Sequence, residues 1–85
     1  MYRVEFTRAA AKQLRKLPVA DASRVLEAFR KLATVPRPRG STRLAGEQSA
    51  WRIRVGNYRV IYDVLDVHLV VTIVRIGHRR DVYRR

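Results

Sequence analysis

The sequence contains no cysteine, only two histidines, and seven acidic residues against 19 basic ones in 85 residues. Without cysteine there is no disulfide framework, no thiolate nucleophile and no cysteine-type zinc site. The two histidines, His68 and His78, are too few for a metal cage, so we expect neither a metal nor a cofactor. A chain this short buries only about 60 to 65% of its unfolded surface, which predicts one small core and no deep cofactor cleft.

Long apolar segments are also missing. The opening residues lack the apolar run of a signal peptide. The longest apolar run, residues 69–74, is interrupted by Thr72 and is far too short to cross a membrane. Together with the absence of cysteine, this predicts a soluble, cytoplasmic protein without membrane contact.

The dominant feature that is present is positive charge. The formal net charge is +12 and the pI is about 11.6. Only three of the cations, Lys12, Lys16 and Lys31, are lysines, so arginine supplies the remaining 16 of 19. One interpretation is contact with nucleic acid, because the guanidinium fork suits bidentate phosphate binding. The other interpretation is codon bias: a GC-rich genome encodes arginine at surface positions where any cation is tolerated. Only the placement of the arginines can distinguish nucleic-acid contact from codon bias.

The first part of the chain predicts a strand followed by two helices. Residues 2–7 alternate between apolar and polar, as in a half-buried strand. Thr7 is a candidate N-cap for a short basic helix that ends near Leu17, before Pro18. Apolar residues spaced by three and four from Ala22 to Ala33 predict an amphipathic second helix, and the short connection predicts a helical hairpin.

The second part predicts a basic loop and a three-stranded meander. Residues 35–46 are rich in proline, glycine and arginine, with Leu44 as the expected anchor. Strands are predicted at 51–55, 58–65 and 69–76, followed by a basic tail. The predicted fold class is therefore α+β, with the order β-α-α-β-β-β and the helical hairpin packed on one face of a mainly antiparallel, twisted sheet.

A two-residue turn at Gly56 and Asn57 fixes the register of the first hairpin of the meander. Val55 must then pair with Tyr58, and the remaining pairs follow outward. One face collects the apolar and aromatic residues Trp51, Ile53, Val55, Tyr58, Val60 and Tyr62, and we expect it to receive the helices. The opposite face carries Arg52, Arg54 and Arg59, with the last two paired directly.

Like charges placed directly opposite each other cost stability, which suggests that an anion such as a phosphodiester binds there. The alternative is an ordinary solvated sheet face. Such a face would interleave acids with bases, whereas the nearest acid on it is Asp63. Arg75 is a secondary candidate, because a one-residue change in the preceding connection decides which face it occupies.

A second group of candidate site residues follows the end of the third predicted strand at Gly77. His78 and Arg80 are secondary candidates, and His78 is equally well interpreted as a surface histidine in a basic tail. Tyr83 has two interpretations: it packs the tail against the sheet edge, or it acts as a phenol whose ionised form is favoured by nearby positive charge and which can stack on a nucleobase.

Two segments together carry a family resemblance. Trp51-Arg-Ile-Arg-Val-Gly-Asn-Tyr-Arg-Val-Ile-Tyr62 and Val74-Arg-Ile-Gly-His-Arg-Arg-Asp-Val-Tyr83, at this spacing in a small basic chain, resemble the RelE branch of the RelE/ParE toxins of bacterial toxin–antitoxin systems. The resemblance covers essentially the whole chain and implies a single RelE-like toxin domain over residues 1–85. It implies a microbial-RNase-like fold and a ribosome-dependent endoribonuclease, an mRNA interferase, that cuts mRNA in the ribosomal A site.

The resemblance also implies roles for particular residues, in a reaction that activates the ribose 2′-hydroxyl for attack on the adjacent phosphate. The catalytic positions map to Arg52, Arg54, Arg59, Arg79 and Tyr83. Arg59 and Arg79 would stabilise the charge on the phosphoryl oxygens or the leaving 5′-oxygen. The best-known members carry lysines where this chain has Arg52 and Arg54, and a guanidinium is a poor general base. The base is therefore open between Tyr83, His78 and a ribosomal group, and a weakly active or inactive nuclease is also consistent with these residues.

Partners follow from the same resemblance. It implies a cognate acidic antitoxin, RelB-like or of another class, that folds on binding, and mRNA in the ribosomal A site as the substrate. Two other functions compete: a ParE-type DNA gyrase inhibitor, and a non-catalytic RNA-binding or ribosome-binding module. The arginine cluster together with a terminal phenol favours the nuclease, because an inhibitor need not keep both.

Overall fold

The computed structural model describes residues 1–46 and 50–78. The elements are β1 (Arg3–Phe6), α1 (Arg8–Lys16), α2 (Val19–Thr34), β2 (Thr42–Arg43), β3 (Ala50–Val55), β4 (Tyr58–Leu65), a 3₁₀ turn (Asp66–His68) and β5 (Val70–His78). The site candidates Arg79, Arg80 and Tyr83 lie outside the described residues.

The strands form one mixed sheet in the order β1-β5-β4-β3-β2. β1 runs parallel to β5, and the other pairs are antiparallel. Both helices lie on the same face, where α1 packs on β5 while α2 packs on β1 and β3. The predicted α+β fold, with a helical hairpin on one face of a mainly antiparallel sheet, is confirmed.

Local signals place the helix boundaries. The Thr7 hydroxyl accepts a hydrogen bond from the Ala10 N–H at 3.1 Å, as an N-cap does. α1 ends just before Pro18, and α2 begins directly after it at Val19. The apolar periodicity from Ala22 to Ala33 lies inside α2 and leaves its first turn unmarked. The first turn of α2 has an exposed Val19 and therefore gives no core-facing signal of its own.

A short fifth strand was not predicted. Residues 42 and 43 fall in the segment expected to be a basic loop, but Thr42 pairs with Arg52 and Arg43 pairs with Trp51. Two residues are too few to show an alternating pattern, and the surrounding proline and glycine favour a loop. The strand extends the sheet by one position beyond β3.

β5 contains a bulge that changes which side chains face the helices. Ile61 pairs with Arg75 but Tyr62 pairs with Ile73, so Val74 is an extra residue. The Thr7 hydroxyl donates to the Val74 carbonyl at 2.8 Å. On the other side of the bulge, the Ile76 N–H donates to the Gln13 side-chain oxygen at 2.7 Å. The bulge is therefore held by Thr7, the N-cap of α1, and by Gln13, which lies within α1.

The core lies between the helices and the sheet. Its largest fully buried side chains are Tyr62, Leu32, Ile73, Ile76, Val25, Val60 and Val71. The hydroxyl of Tyr62 donates to the Pro36 carbonyl at 2.8 Å, so this buried polar group is satisfied. Burial raises the pKa of the Tyr62 phenol above its ordinary value. The prediction that the aromatic face of the first hairpin receives the helices is confirmed.

Arg37 anchors the loop that follows α2. Its guanidinium donates two hydrogen bonds to the Asp66 carboxylate, at 3.1 and 2.6 Å, and lies 5.5 Å from the centre of the Trp51 ring. The Tyr2 hydroxyl donates to the same carboxylate at 2.6 Å. These bonds hold the pKa of Asp66 below its usual range, with Arg37 as the larger cause. They also join the loop, the chain before β1 and the β4–β5 connection.

Candidate functional site

The hairpin between β3 and β4 sets the geometry of the site. The observed pairs run from Trp51–Tyr62 to Val55–Tyr58, and they confirm the predicted register. Gly56 has a φ of +59°, as the first residue of a type II′ turn requires. A Cβ at that position would lie 3.5 Å from the Arg24 guanidinium of α2, so the turn and the helix approach closely.

Four arginines lie on the sheet face opposite the helices, and we call this cluster the arginine face: Arg52, Arg54, Arg59 and Arg75. Arg54 pairs directly with Arg59 across the hairpin. In the neighbouring row, Arg52 and Arg75 flank Ile61 from either side. Adjacent strands lie about 4.8 Å apart, so the four side chains occupy two neighbouring rows of one small surface.

The charge of this sheet surface changes along the strands. Arg54 is exposed and the other three arginines are half-buried, with the Nε atom of Arg59 buried. The next row contains Asp63, which pairs with Thr72, and Thr72 in turn pairs with Glu5. Positive charge is therefore concentrated at the end of the sheet nearest the β3–β4 turn, and an anion is attracted there most strongly.

The bulge in β5 accounts for the position of Arg75. Without the extra residue at Val74, alternation from Ile73 would turn Arg75 towards the helices and Ile76 away from them. With the bulge, Ile76 is 2% exposed in the core, and Arg75 joins the arginine face. The sequence did not show the bulge, because its supporting partners, Thr7 and Gln13, are distant in the chain.

His78 does not lie on the arginine face. It pairs with Tyr58, on the helix-facing side of the sheet, and the two rings meet edge to face with centres 6.1 Å apart. The Tyr58 hydroxyl donates to the Asp21 carboxylate of α2 at 2.9 Å, and this bond raises the pKa of the phenol. Asp21, Arg24, Tyr58 and His78 line a cavity of about 390 Å³ beside the turn.

Sequence reasoning missed one residue of the site. Thr42 of β2 pairs with Arg52, so it shares the arginine face and adds a hydroxyl beside the cluster. No sequence signal marked it, because the strand that carries it is only two residues long.

The described parts of the chain show no group of three or more potential metal ligands. Within those same ranges, no helix is both long and apolar enough to cross a membrane. The arginine face can bind an anion in two rows of guanidinium groups and stabilise negative charge that develops on it.

Comparison with known proteins identifies the family. Residues 4–83 match the family described as the ParE toxin of type II toxin–antitoxin systems. The chain is also 42% identical over 88 residues to Toxin RelG of Mycobacterium tuberculosis, covering 99% of this chain and 98% of that protein. The chain belongs to the RelE/ParE toxin family. The resemblance noted in the sequence is thereby confirmed.

Solved structures place this toxin with the RelE members. The toxin–antitoxin complex RelBE2 from Mycobacterium tuberculosis matches with a TM-score of 0.80 and 38% identity, over 92% of this chain and 98% of that chain. The archaeal RelE–RelB complex from Pyrococcus horikoshii matches with a TM-score of 0.83 and 34% identity, over 95% and 98%. The chain is thus a RelE-family toxin of the type II class.

Proposed function

We propose that this toxin is a ribosome-dependent mRNA endoribonuclease that inhibits translation. The observation that carries the proposal is the pairing of Arg54 with Arg59, beside Arg52 and Arg75, on the sheet face without helices. Opposed like charges destabilise a sheet, and a phosphodiester bound between them offsets that cost. Membership of the RelE-type toxins supports the choice of RNA as substrate.

In the proposed reaction, the ribose 2′-oxygen attacks the adjacent phosphorus and the bond from phosphorus to the 5′-oxygen breaks. The products are a 2′,3′-cyclic phosphate and a 5′-hydroxyl. Arg52 and Arg54 hold the phosphodiester, while Arg59 and Arg79 stabilise the negative charge on the phosphoryl and leaving oxygens. The 2′-hydroxyl proton passes to the Tyr83 phenolate. The leaving 5′-oxygen takes a proton from solvent water, and Tyr83 returns its proton to solvent, so that no net proton is gained or lost.

Tyr83 is proposed as the base because a guanidinium is a poor proton acceptor. The two other candidates are His78 and a ribosomal group. The position of His78 beside Tyr58, on the helix-facing side of the sheet, supports Tyr83 over His78.

A cognate antitoxin is the second proposed partner. Structural relatives from Mycobacterium tuberculosis and Pyrococcus horikoshii are toxins in complex with their antitoxins. A charge of +12 favours an acidic antitoxin for this chain. Co-expression with the antitoxin should yield a complex that survives purification in moderate salt, and recovery of the toxin alone would contradict this part of the proposal.

Primer extension on mRNA after induction of the toxin tests the activity. Cuts within translated messages support the nuclease. DNA breaks with intact mRNA would instead support a ParE-type gyrase inhibitor, the alternative favoured by the name of the matching family. If neither mRNA cuts nor DNA breaks are found, the result would support a non-catalytic RNA-binding or ribosome-binding module.

Substitutions then assign the roles. Arg59→Ala and Arg79→Ala should each abolish the cuts while the protein stays folded by circular dichroism. Tyr83→Phe should slow cleavage at least a hundredfold with unchanged ribosome binding. Full cleavage by Tyr83→Phe would refute Tyr83 as the base but would leave the nuclease assignment intact.

A further inference from the structure

A second cationic surface lies on α1, on the opposite side of the sheet from the arginine face. Four exposed side chains, Arg8, Lys12, Arg15 and Lys16, form what we call the α1 stripe. Spacings of three and four residues place them on neighbouring turns of one helix face. The stripe is about 12 Å long, from eight residues at the rise of an α-helix.

The stripe costs helix stability. Lys12 follows Arg8, and Lys16 follows Lys12, at the four-residue spacing where like charges repel. Arg8 also lies in the first turn, where the helix dipole disfavours a cation, and that turn contains no acid. Arg15 and Lys16 lie in the last turn, where the helix dipole favours cations, so the cost falls on Arg8 and on the repulsion along Arg8, Lys12 and Lys16.

Within residues 1–46 and 50–78, no ion pair joins an acidic residue to the stripe. Among the described residues, Glu5 pairs with Arg3, Glu27 with Arg30, and Asp66 with Arg37, while Asp21 accepts from Tyr58. None of the ion pairs found in the described ranges involves a side chain of the stripe. Its positive charge is therefore directed to solvent or to a partner.

Codon bias does not explain the stripe. Two of the three lysines in the chain, Lys12 and Lys16, belong to it. A bias that writes arginine at tolerant surface positions would not concentrate lysine on one helix face. Arginine codon usage therefore does not account for every cation of the stripe.

The composition of the stripe favours RNA over protein as its partner. Protein interfaces are anchored by aromatic and large apolar side chains. The one other exposed residue of α1 is Ala9, which is small. Exposed apolar side chains such as Phe6 and Leu26, 38% and 40% exposed, line a groove between β1 and α2 instead. Phosphate contacts need only cations at suitable spacing.

We propose that the α1 stripe binds the phosphate backbone of folded, double-stranded RNA. The contact is independent of sequence and non-catalytic, and it leaves the arginine face available for a single strand. If the toxin acts on ribosomes, as proposed above, the double-stranded RNA is ribosomal RNA. The phosphate contact itself does not depend on that proposed function.

Salt-dependent binding tests the proposal. The triple variant Lys12→Gln/Arg15→Gln/Lys16→Gln removes three charges, and glutamine has a helix propensity similar to theirs. The matched control Lys31→Gln/Arg39→Gln/Arg43→Gln removes the same charge from surfaces outside the stripe and the arginine face. Affinity is measured at several KCl concentrations for an RNA duplex of about 16 base pairs and for purified ribosomes.

The α1 variant should bind the duplex at least tenfold more weakly than wild type at low salt. The slope of log affinity against log salt should become less negative by about two to three, because each lost phosphate contact changes this slope by about 0.9. The control should change affinity less than threefold. Equal losses in both variants would show a general charge effect and overturn the proposal, as would loss of antitoxin binding with RNA binding unchanged.

Cleavage separates this proposal from the proposed function. At toxin concentrations that saturate ribosomes, the α1 variant should cut at the same sites as wild type. Arg54→Gln should reduce cleavage about a hundredfold but keep duplex binding. If wild type binds duplex RNA through α1 yet never cuts mRNA, the nuclease assignment fails while this inference stands. If the toxin cuts mRNA but its RNA binding does not depend on the stripe, this inference fails while the nuclease assignment stands.

Discussion

The Thr7 hydroxyl donates to the Val74 carbonyl at 2.8 Å and accepts from the Ala10 N–H at 3.1 Å. One side chain therefore caps α1 and holds the bulge of β5. Because that bulge turns Arg75 onto the arginine face, the start of the first helix helps to fix the position of a residue near the other end of the chain.

Replacement of Thr7 tests this double role. Thr7→Ala removes both bonds and should lower the free energy of unfolding by about 2 kcal/mol, roughly 1 for the cap and 1 for the carbonyl contact. Thr7→Ser keeps the hydroxyl and should stay within about 0.5 kcal/mol of wild type. Urea denaturation measures both, and equal losses in the two variants would show that the methyl group matters more than the hydroxyl.

Arg54→Gln should separate stability from activity. The change removes one member of the opposed Arg54–Arg59 pair, so the protein should become more stable by ~0.2–1 kcal/mol. Cleavage on ribosomes should fall about a hundredfold, as expected for loss of one preorganised charge contact. Arg30→Gln, on the exposed surface of α2, is the control and should preserve cleavage. A destabilised Arg54→Gln protein would contradict the electrostatic account of the pair.

Tyr62→Phe should destabilise the fold by about 1–1.5 kcal/mol, because it leaves the Pro36 carbonyl without its donor. Tyr58→Phe removes the hydrogen bond from the hydroxyl to Asp21, which lies at a partly exposed position. It should therefore lower the free energy of unfolding less than Tyr62→Phe does. Comparing the urea midpoints of the two variants checks the order. A larger loss for Tyr58→Phe would mean that its contact with α2, rather than the core hydroxyl, governs stability.

Asp66 should make stability sensitive to acid. Arg37 and Tyr2 hold the pKa of this carboxyl below its unfolded value. The contribution is therefore fully present above the unfolded pKa of about 4 and is lost as the pH falls through the lower folded value. Urea midpoints measured from pH 7 to pH 2.5 should fall less steeply for Asp66→Asn than for wild type in the acid range. Parallel curves would exclude Asp66 as a source of the acid sensitivity.

The sequence predicted the parts of the fold that local rules determine. The two-residue turn at Gly56 and Asn57 determines every pair of the β3–β4 hairpin, so the sequence places three members of the arginine face on one side of the sheet. The face of Arg75 could not, because it depends on bonds from Thr7 and Gln13, which lie more than 60 residues away. Arg37 was expected only as part of a basic loop, and its bonds to Asp66 and contact with Trp51 join segments that no local pattern connects.

The arginine face shares its strands with the core. Arg52 lies between Trp51 and Ile53, whose side chains pack against the core. Arg59 lies between Val60, which is buried in the core, and Tyr58, whose hydroxyl donates to Asp21 of α2. The charged groups are thus positioned by the same packing that folds the protein, not by a separately mobile loop. On heating, the geometry of this surface and the native state should therefore disappear in one transition, leaving no folded but misaligned form.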